Sequence, residues 1–487
     1  MKIISSFIQE QKRYSKKYLK KIFEFEEQGV EQFIKSLKSY NVLKAVKNST
    51  EQEKLTDLVA EDIEVADETV TGDEYLYTFT YVGIITIGRR IIKIYPKYLL
   101  SAQEPIKEMK QVIKVLERYS KHKEQIINLY NGDGEDRSFN LIAVILFLLN
   151  DYHEYGVYNN SEDIVELNGE GAIVWGKTID ESFALIQNNS PYYMEIYTNR
   201  TVDNDMDYFK RLHECVLTEC FKQLKESQLD ELFDMTSVEL SDESVDDFGG
   251  KDYILGRIQA ELNTQFNTRR QILLKTLYAY IAQDRRMLEE DKGFSMYGTT
   301  AFNIVWEKVC ANVFNNNLEA EIGNLKLKKP LIEGFDKTEK LKNIIGKPEW
   351  VYGEVKKESG DTLEPDLITI YNHNGEDWFI IFDAKYYNIK LEKDEKLSGN
   401  PGVGDVTKQY LYQLAYSDFI EKNFIKNVRN CFLMPTEENK IINKGYVKLE
   451  MLEQLGLENI QIRLLPAHQI FEYYITRKKW DIKKLEL

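Results

Sequence analysis

The sequence predicts an α+β multidomain chain: an N-terminal β-hairpin-containing region, a helical middle and a C-terminal α/β domain around a central mixed sheet. Three observations carry this. Residues 75–99, YLYTFTYVGIITIGRRIIKIYPKYL, are dense in β-branched and aromatic side chains. Apolar residues recur at helical spacing from about 105 to 150, in DNDMDYFKRLHECVLTECFKQL and in RIQAELNTQFNTRRQILLKTLYAYIAQDRRMLEE. Beyond about 290 the pattern changes to helix TAFNIVWEKVCANVFNN followed by mixed strands and helices. The expected domains are therefore 1–110, mixed and β-rich, 111–290, mainly helical, and 291–487, α/β.

Taken in order, residues 75–99 read as a hairpin, with Gly88 and the charges after it marking the turn. The longest apolar run, LIAVILFLL, is too short to cross a bilayer, and the start MKIISSFIQEQKRYSKKYLKK has no apolar core of signal-peptide length, so a soluble cytoplasmic protein with no membrane contact is expected. GAIVWGKT, Gly171 to Thr178, satisfies the phosphate-loop pattern GxxxxGK[ST] between strand-like DIVEL and helix-like IDESFALIQ. Its four intervening residues favour extended, packed backbone over a tight loop of cradling N–H groups. The competing reading is a strand–turn–helix that buries Trp175. DELFDMTSVELSDESVDDFGGKD, residues 230–252, is acidic enough to read as a solvated loop or linker.

The formal charge of −16 excludes a protein that holds nucleic acid by a global electrostatic field. Any DNA contact must be local or supplied with a partner. Four cysteines without a CxxC pair suit a reducing compartment, as buried free thiols. His213 beside Cys215 and Cys220 suggests zinc ligation, but no second ligand pair accompanies it.

The chemistry-bearing stretch is EPDLITIYNHNGEDWFIIFDAKYY, residues 364–387. Asn374-Gly375 is a strong hairpin signal, and a two-residue turn there sets Asp366 opposite Asp383. Opposed carboxylates lie with Cβ atoms about 4.5–5.5 Å apart and repel unless a cation joins them. Alternation puts Lys385 on the face of Asp383, while Ala384 points away and leaves its carbonyl free at the strand end. The apolar flanks on both faces predict central strands and a partly desolvated acid pair, which suits Mg²⁺ and phosphodiester hydrolysis. Lys385 then orients a water or stabilises charge developing on the phosphate. The bland alternative is an Asp383–Lys385 pair on a solvated edge. Gln409, Gln413 and Tyr416 share one helical face that is expected to meet the strand end. Glu307 reads equally as a satisfied half-buried acid or as a third metal-site carboxylate.

With these residues assembled, the C-terminal part resembles the PD-(D/E)xK nuclease superfamily: EPD supplies the first acid, DAK the acid-x-Lys element, YQLAY a QxxxY-type helix, and Glu307 the acid of the first helix. The whole chain looks more specifically like the LlaJI family of restriction endonucleases, with a McrC-like nuclease subunit, through YVGIITIGRRIIKIYPKYL, GAIVWGKTI and RLHECVLTEC. That resemblance implies a Mg²⁺-dependent DNA endonuclease, with Mn²⁺ as a substitute, in a restriction or anti-phage system. Asp366, Asp383, the Ala384 carbonyl and Glu307 would hold the metal. Lys385 would be the catalytic base or water-orienting group and Gln413 a positioning residue. It also implies double-stranded DNA as substrate, dimerisation for double-strand cutting, and a McrB-like AAA+ GTPase on which the N-terminal region docks, GTP entering only through that partner. The alternatives are a noncatalytic adaptor that stimulates a partner NTPase, and a P-loop NTPase using Lys177 and Thr178.

Overall fold

The structure is a computed structural model that describes residues 3–47, 75–101, 104–121, 130–131, 138–159, 161–188, 190–203, 207–282, 294–328, 334–394 and 396–487. It falls into two compact units, residues 1–126 with 296–487, and residues 127–295. The expected boundary near 290 lies outside the described residues. The one expected at 110 falls inside the helix Ile106–Lys121.

In the first unit the predicted hairpin forms: Val82–Ile87 pairs antiparallel with Arg90–Tyr95 around Gly88, whose φ is 52°. Arg90–Tyr95 also pairs in parallel with Ile4–Gln9. Ile84, Ile85, Ile91, Ile92 and Ile94 are all buried, so this pair is covered on both faces, which explains its continuous apolar run. Gly83 passes the neighbouring strand so closely that a Cβ there would sit 2.2 Å from the Tyr297 carbonyl oxygen. Tyr75–Phe79 belongs elsewhere, between Leu43–Lys47 and Arg13–Tyr14 in a separate three-stranded sheet.

The C-terminal part of the same unit carries a five-stranded mixed sheet of β1 (Leu367–His373), β2 (Glu376–Ala384), β3 (Asn427–Thr436), β4 (Ile442–Val447) and β5 (Ile460–Pro466). Its order is β1-β2-β3-β5-β4, with β2, β3 and β5 parallel and the two edge strands antiparallel. Among the described residues it is accompanied by α1 (Phe302–Val313), α2 (Val403–Ala415), the short helix Ser417–Lys422 that follows α2, and α3 (Ala467–Ile475). Alternation in β2 splits the core. Phe379 and Ile381 pack with Tyr416 and Phe419, while Phe382 meets Phe314 just past α1. The open edge of β1 is covered by a loop: Asn316 and Asn317 accept from the N–H groups of Ile368 and Ile370.

The second unit is less helical than expected. Helices Leu141–Tyr155, Tyr208–Glu226, Lys251–Thr264 and Thr268–Ala282 follow the apolar periodicity, but residues 161–203 form strands around one short helix. IDESFALIQ, expected as helix, stays helical only to Glu181, and Ala184–Gln187 pairs with Ser190–Tyr193. The acidic stretch 230–252 lies wholly inside this unit and buries Leu232, Phe233, Val238, Val245 and Phe248, so it is a packed loop and not a linker. All four cysteines are free and buried. Among the described residues no helix is long and apolar enough to cross a membrane.

Candidate active site

The register of the central hairpin decides the site. Asn374 and Gly375 both take positive φ, 53° and 79°, as the turn requires. The ladder then runs from His373↔Glu376 to Leu367↔Phe382. One step further, Asp366 stands against Asp383, as the sequence predicts, and the two carboxyl groups hydrogen-bond to each other. Both pKa values are raised. Burial is the main cause for each; for Asp383 the neighbouring Asp366 charge adds to it.

The residue before Asp366 matters for a reason the sequence reading did not use. Continuing the same register sets Pro365 opposite Ala384, on the side where both backbone groups of Ala384 face β1. Proline has no N–H, so the ladder offers the Ala384 carbonyl no donor. The Ala384 N–H instead donates to Asp366 Oδ2 at 2.8 Å. The proline therefore leaves one main-chain oxygen beside the two carboxylates, which is a reason for proline to precede this acid.

Lys385 lies on the same face as Asp383, as alternation requires. Its ammonium sits 3.1 Å from Asp383 Oδ2 and 2.8 Å from Asp405 Oδ1. Burial alone would lower its pKa, but Asp383 and Asp405 outweigh that and raise it, so the group is held as a cation. The bland reading, a pair on a solvated edge, fails, because Asp383 is only 4% exposed and β2 lies between two other strands. The backbone is fixed as firmly: Lys385 N–H donates to the Leu433 carbonyl at 2.9 Å, and Trp306 Nε1–H on α1 donates to the same oxygen at 3.1 Å.

That second bond brings α1, and with it Glu307, to the strand end. The Glu307 carboxyl is half-buried and its pKa is raised, first by burial and then by Asp383, with Lys385 opposing. Its electrostatic neighbours are therefore Asp383 and Lys385. Among the described residues no group of three or more His, Cys, Asp and Glu side chains stands in metal-binding geometry. The acids instead face one another through a hydrogen bond.

The helix expected to complete the site does so through other residues. Gln409 Nε2–H donates to the Ile381 carbonyl at 2.9 Å. Gln413 Oε1 accepts from Asn430 Nδ2 and from the Glu458 N–H, at 2.6 and 3.0 Å. Tyr416 OH donates to the Leu341 carbonyl at 3.2 Å. The glutamines thus dock α2 on β2 and β3, and Gln413 is not aimed at a phosphate. A buried amide facing main-chain groups is better used by satisfying them. Two residues of α2 that the sequence reading missed do face the cluster: Asp405, and Tyr412, whose hydroxyl is pushed up to about 12 by burial and then by Asp383 and Asp366. Asp405 was findable, since it lies four residues before Gln409 on the same stripe.

The other candidate chemistries dissolve. Gly171–Thr178 is strand Ala172–Ile173 and a helix from Trp175, not a phosphate cradle. The Thr178 hydroxyl is buried and accepts the Tyr197 N–H at 2.9 Å, while the Lys177 ammonium lies 4.7 Å from the Tyr197 ring centroid. Trp175, expected to be buried, is 55% exposed, its ring edge-on to Tyr193. A helix of seven residues offers it too little surface to hide under. His213 is buried and accepts the Tyr158 N–H at Nδ1, 2.9 Å, so it serves packing rather than zinc.

Comparison with known proteins bears on the family of the chain. A family profile described as LlaJI restriction endonuclease matches residues 81–465. A curated relative from Bacillus subtilis (strain 168), the type II restriction enzyme BsuMI component YdjA, is 29% identical over 419 residues, covering 84% of this chain and 83% of its own length. Two solved assemblies of Thermococcus gammatolerans also match at 11% identity: a half-complex of McrB AAA+ hexamers with bound McrC, at TM-score 0.36 over 97% of this chain and 99% of that one, and a McrBC complex, at TM-score 0.25 over 62% and 85%.

Proposed function

The chain belongs to the LlaJI restriction endonuclease family, and on that premise we propose that it is the DNA-cutting subunit of a restriction, anti-phage system, a Mg²⁺-dependent endodeoxyribonuclease acting in the cytoplasm with an AAA+ GTPase partner. The observation that carries this reading is the meeting of Asp366, Asp383 and Lys385 at one buried strand end. The Bacillus relative is described as a component, which supports a multi-subunit system. An AAA+ GTPase as the other subunit, docked by the N-terminal region, is what the McrC-like motifs imply.

The donor set fits a hard divalent cation. The two carboxyl groups face each other at a place where both pKa values are raised, so a doubly charged ion between them would relieve their repulsion. Asp366, Asp383, the Ala384 carbonyl and Glu307 supply only oxygen, the preference of Mg²⁺ or Mn²⁺. When bound, the ion would polarise the phosphate and lower the pKa of a water. Lys385, held as a cation by two acids, orients the attacking water and offsets negative charge developing on the phosphate. Its raised pKa suits that role better than proton abstraction. Asp405 holds the ammonium in place, and Gln413 holds β3. Double-stranded DNA is the substrate, and two copies of the chain cut its two strands.

The test is plasmid cleavage by the chain with its partner, GTP and Mg²⁺. Asp383→Ala and Lys385→Ala each abolish cleavage while the partner still co-purifies and hydrolyses GTP. Full cleavage by both variants removes the assignment. Stimulated GTP turnover without any cutting by the unaltered chain makes it an adaptor.

A further inference from the structure

We propose that the hairpin Glu349–Tyr352/Val355–Glu358 is a nucleobase-binding element that engages DNA beside the cleavage site, an inference that rests on the nuclease reading above. Among the described residues this hairpin pairs with no other strand. An isolated two-stranded hairpin has little stability of its own, and spending its side chains on solvent needs a reason. Trp350 is 73% exposed and Tyr352 89%, with Val351 and Val355 also open.

The register sorts its side chains by chemistry. Trp350 opposes Lys357 and Tyr352 opposes Val355, so these four share one face. Glu349, Val351, Lys356 and Glu358 share the other, where Lys356 and Glu349 approach to 3.6 Å. The aromatic face therefore carries Lys357, a cation with no ion pair among the described residues, while Glu349 and Glu358 lie on the reverse and Glu354 in the turn. A base stacked on the rings would bring its phosphate toward that lysine. Another exposed apolar set, Phe183, Ile186 and Met194 in the second unit, is interleaved with Asp180, Glu181 and Glu195.

Spacing points to bases rather than to a flat apolar surface. Residues i and i+2 of a strand lie about 6.8 Å apart, so the two rings leave room for one base stacked between them at about 3.4 Å from each. Position agrees. Ser359 N–H closes the hairpin base on the Pro348 carbonyl at 2.8 Å, and Asp366 follows Glu358 after eight residues. Eight residues span at most about 29 Å, less than one turn of duplex, about 34 Å. A duplex cut at Asp366 therefore passes within reach of the hairpin. For a chain of net charge −16, stacking also supplies affinity that global electrostatics withholds.

The experiment uses the full chain carrying Asp383→Ala, so that nothing is cut, with labelled duplex, single-stranded and single-base-bulge DNA. Stacking is worth enough per base that Trp350→Ala with Tyr352→Ala should weaken binding about 5- to 150-fold, and the Phe pair should restore it. Trp350 fluorescence should be quenched by DNA, and Lys357→Glu should weaken all three ligands alike and reduce the salt dependence by about one ion. The ligand most weakened by the Ala pair identifies whether the base is unpaired or a strand is single. Binding unchanged in the Ala pair, or no quenching by any DNA, overturns the proposal. Loss of the protein partner with DNA binding intact makes the hairpin a protein-docking element and overturns it too. Failure of the nuclease reading is separate: it shows as cleavage surviving Asp383→Ala, which leaves Trp350 quenching untouched.

Discussion

Asp405→Asn tests the site through the second carboxylate that holds Lys385. Asp405 Oδ1 receives the Lys385 ammonium at 2.8 Å, with Lys385 20% and Asp405 23% exposed at the side chain, so screening by water is modest. The amide keeps the shape and an acceptor but removes the charge, leaving Asp383 as the lysine's ion-pair partner among the described residues. A hydrogen bond to a charged group contributes about 1.5–3 kcal/mol. If it all acts on holding the ammonium at the reacting phosphate, single-turnover cleavage slows about 10- to 150-fold. Asp418→Asn on the following helix, which pairs with Lys422 in the open, is the control and should change nothing. Plasmid cleavage under enzyme excess with the partner, GTP and Mg²⁺ measures the rate. If Asp405→Asn cuts within about twofold of the unaltered chain while Lys385→Ala is dead, Asp383 alone holds the lysine and the two-anion clamp is refuted.

Two further outcomes follow from the geometry. The Asp366–Asp383 pair has folded-state pKa values above the unfolded carboxylate range, so without a divalent ion its contribution to stability is full below about pH 4 and is lost as pH rises through the raised values. Asp383→Asn should therefore melt higher than the unaltered chain in chelator at pH 8 and lose that advantage toward pH 4. A thermal-shift series from pH 4 to 9 reads it, and a lower melting temperature for the variant at pH 8 contradicts the sign. Thr178→Val leaves the Tyr197 N–H without its acceptor and should cost about 1–3 kcal/mol in urea unfolding, while Lys177→Ala leaves GTP hydrolysis by the assembled system unchanged. Loss of turnover in Lys177→Ala would revive the phosphate-loop reading.

What was legible in the sequence was local. An Asn-Gly turn with positive φ at both positions fixes a register, and a register fixes which side chains share a face, so Asp366, Asp383 and Lys385 came together from spacing alone. The 82–95 hairpin was legible for the same reason, through Gly88. What failed depended on partners distant in the chain. Gln413 has the right helical phase but meets Asn430 and Glu458, because successive turns of α2 lie against different strands, Gln409 on β2 and Gln413 on β3. Trp175 looked like core by its ring and is open, since the elements around it are too short to cover it. Ala184–Gln187 hides its strand character under helix-compatible residues, and only its cross-strand partner Ser190–Tyr193 settles it.

The least legible feature is the one that ties the N-terminal residues to the chemistry. Tyr386, the residue after Lys385, is buried and donates its hydroxyl to Glu10 Oε2 at 2.6 Å, and the same Glu10 oxygen accepts the Lys97 N–H at 3.2 Å. Asn388 Nδ2–H donates to the Lys97 carbonyl at 2.7 Å. Glu10 follows the strand Ile4–Gln9, and Lys97 follows the strand Arg90–Tyr95 with which it pairs, so the end of that parallel pair clamps the chain where it leaves β2. Around Tyr386, Tyr98, Phe302 and Phe471 close an aromatic cluster drawn from both ends of the sequence. Alternation sends Tyr386 to the face opposite Lys385. The backbone of Lys385 is thereby fixed from three sides: by Leu433 through its own N–H, by Trp306 on that same carbonyl, and by the buried Tyr386–Glu10 bond one residue on.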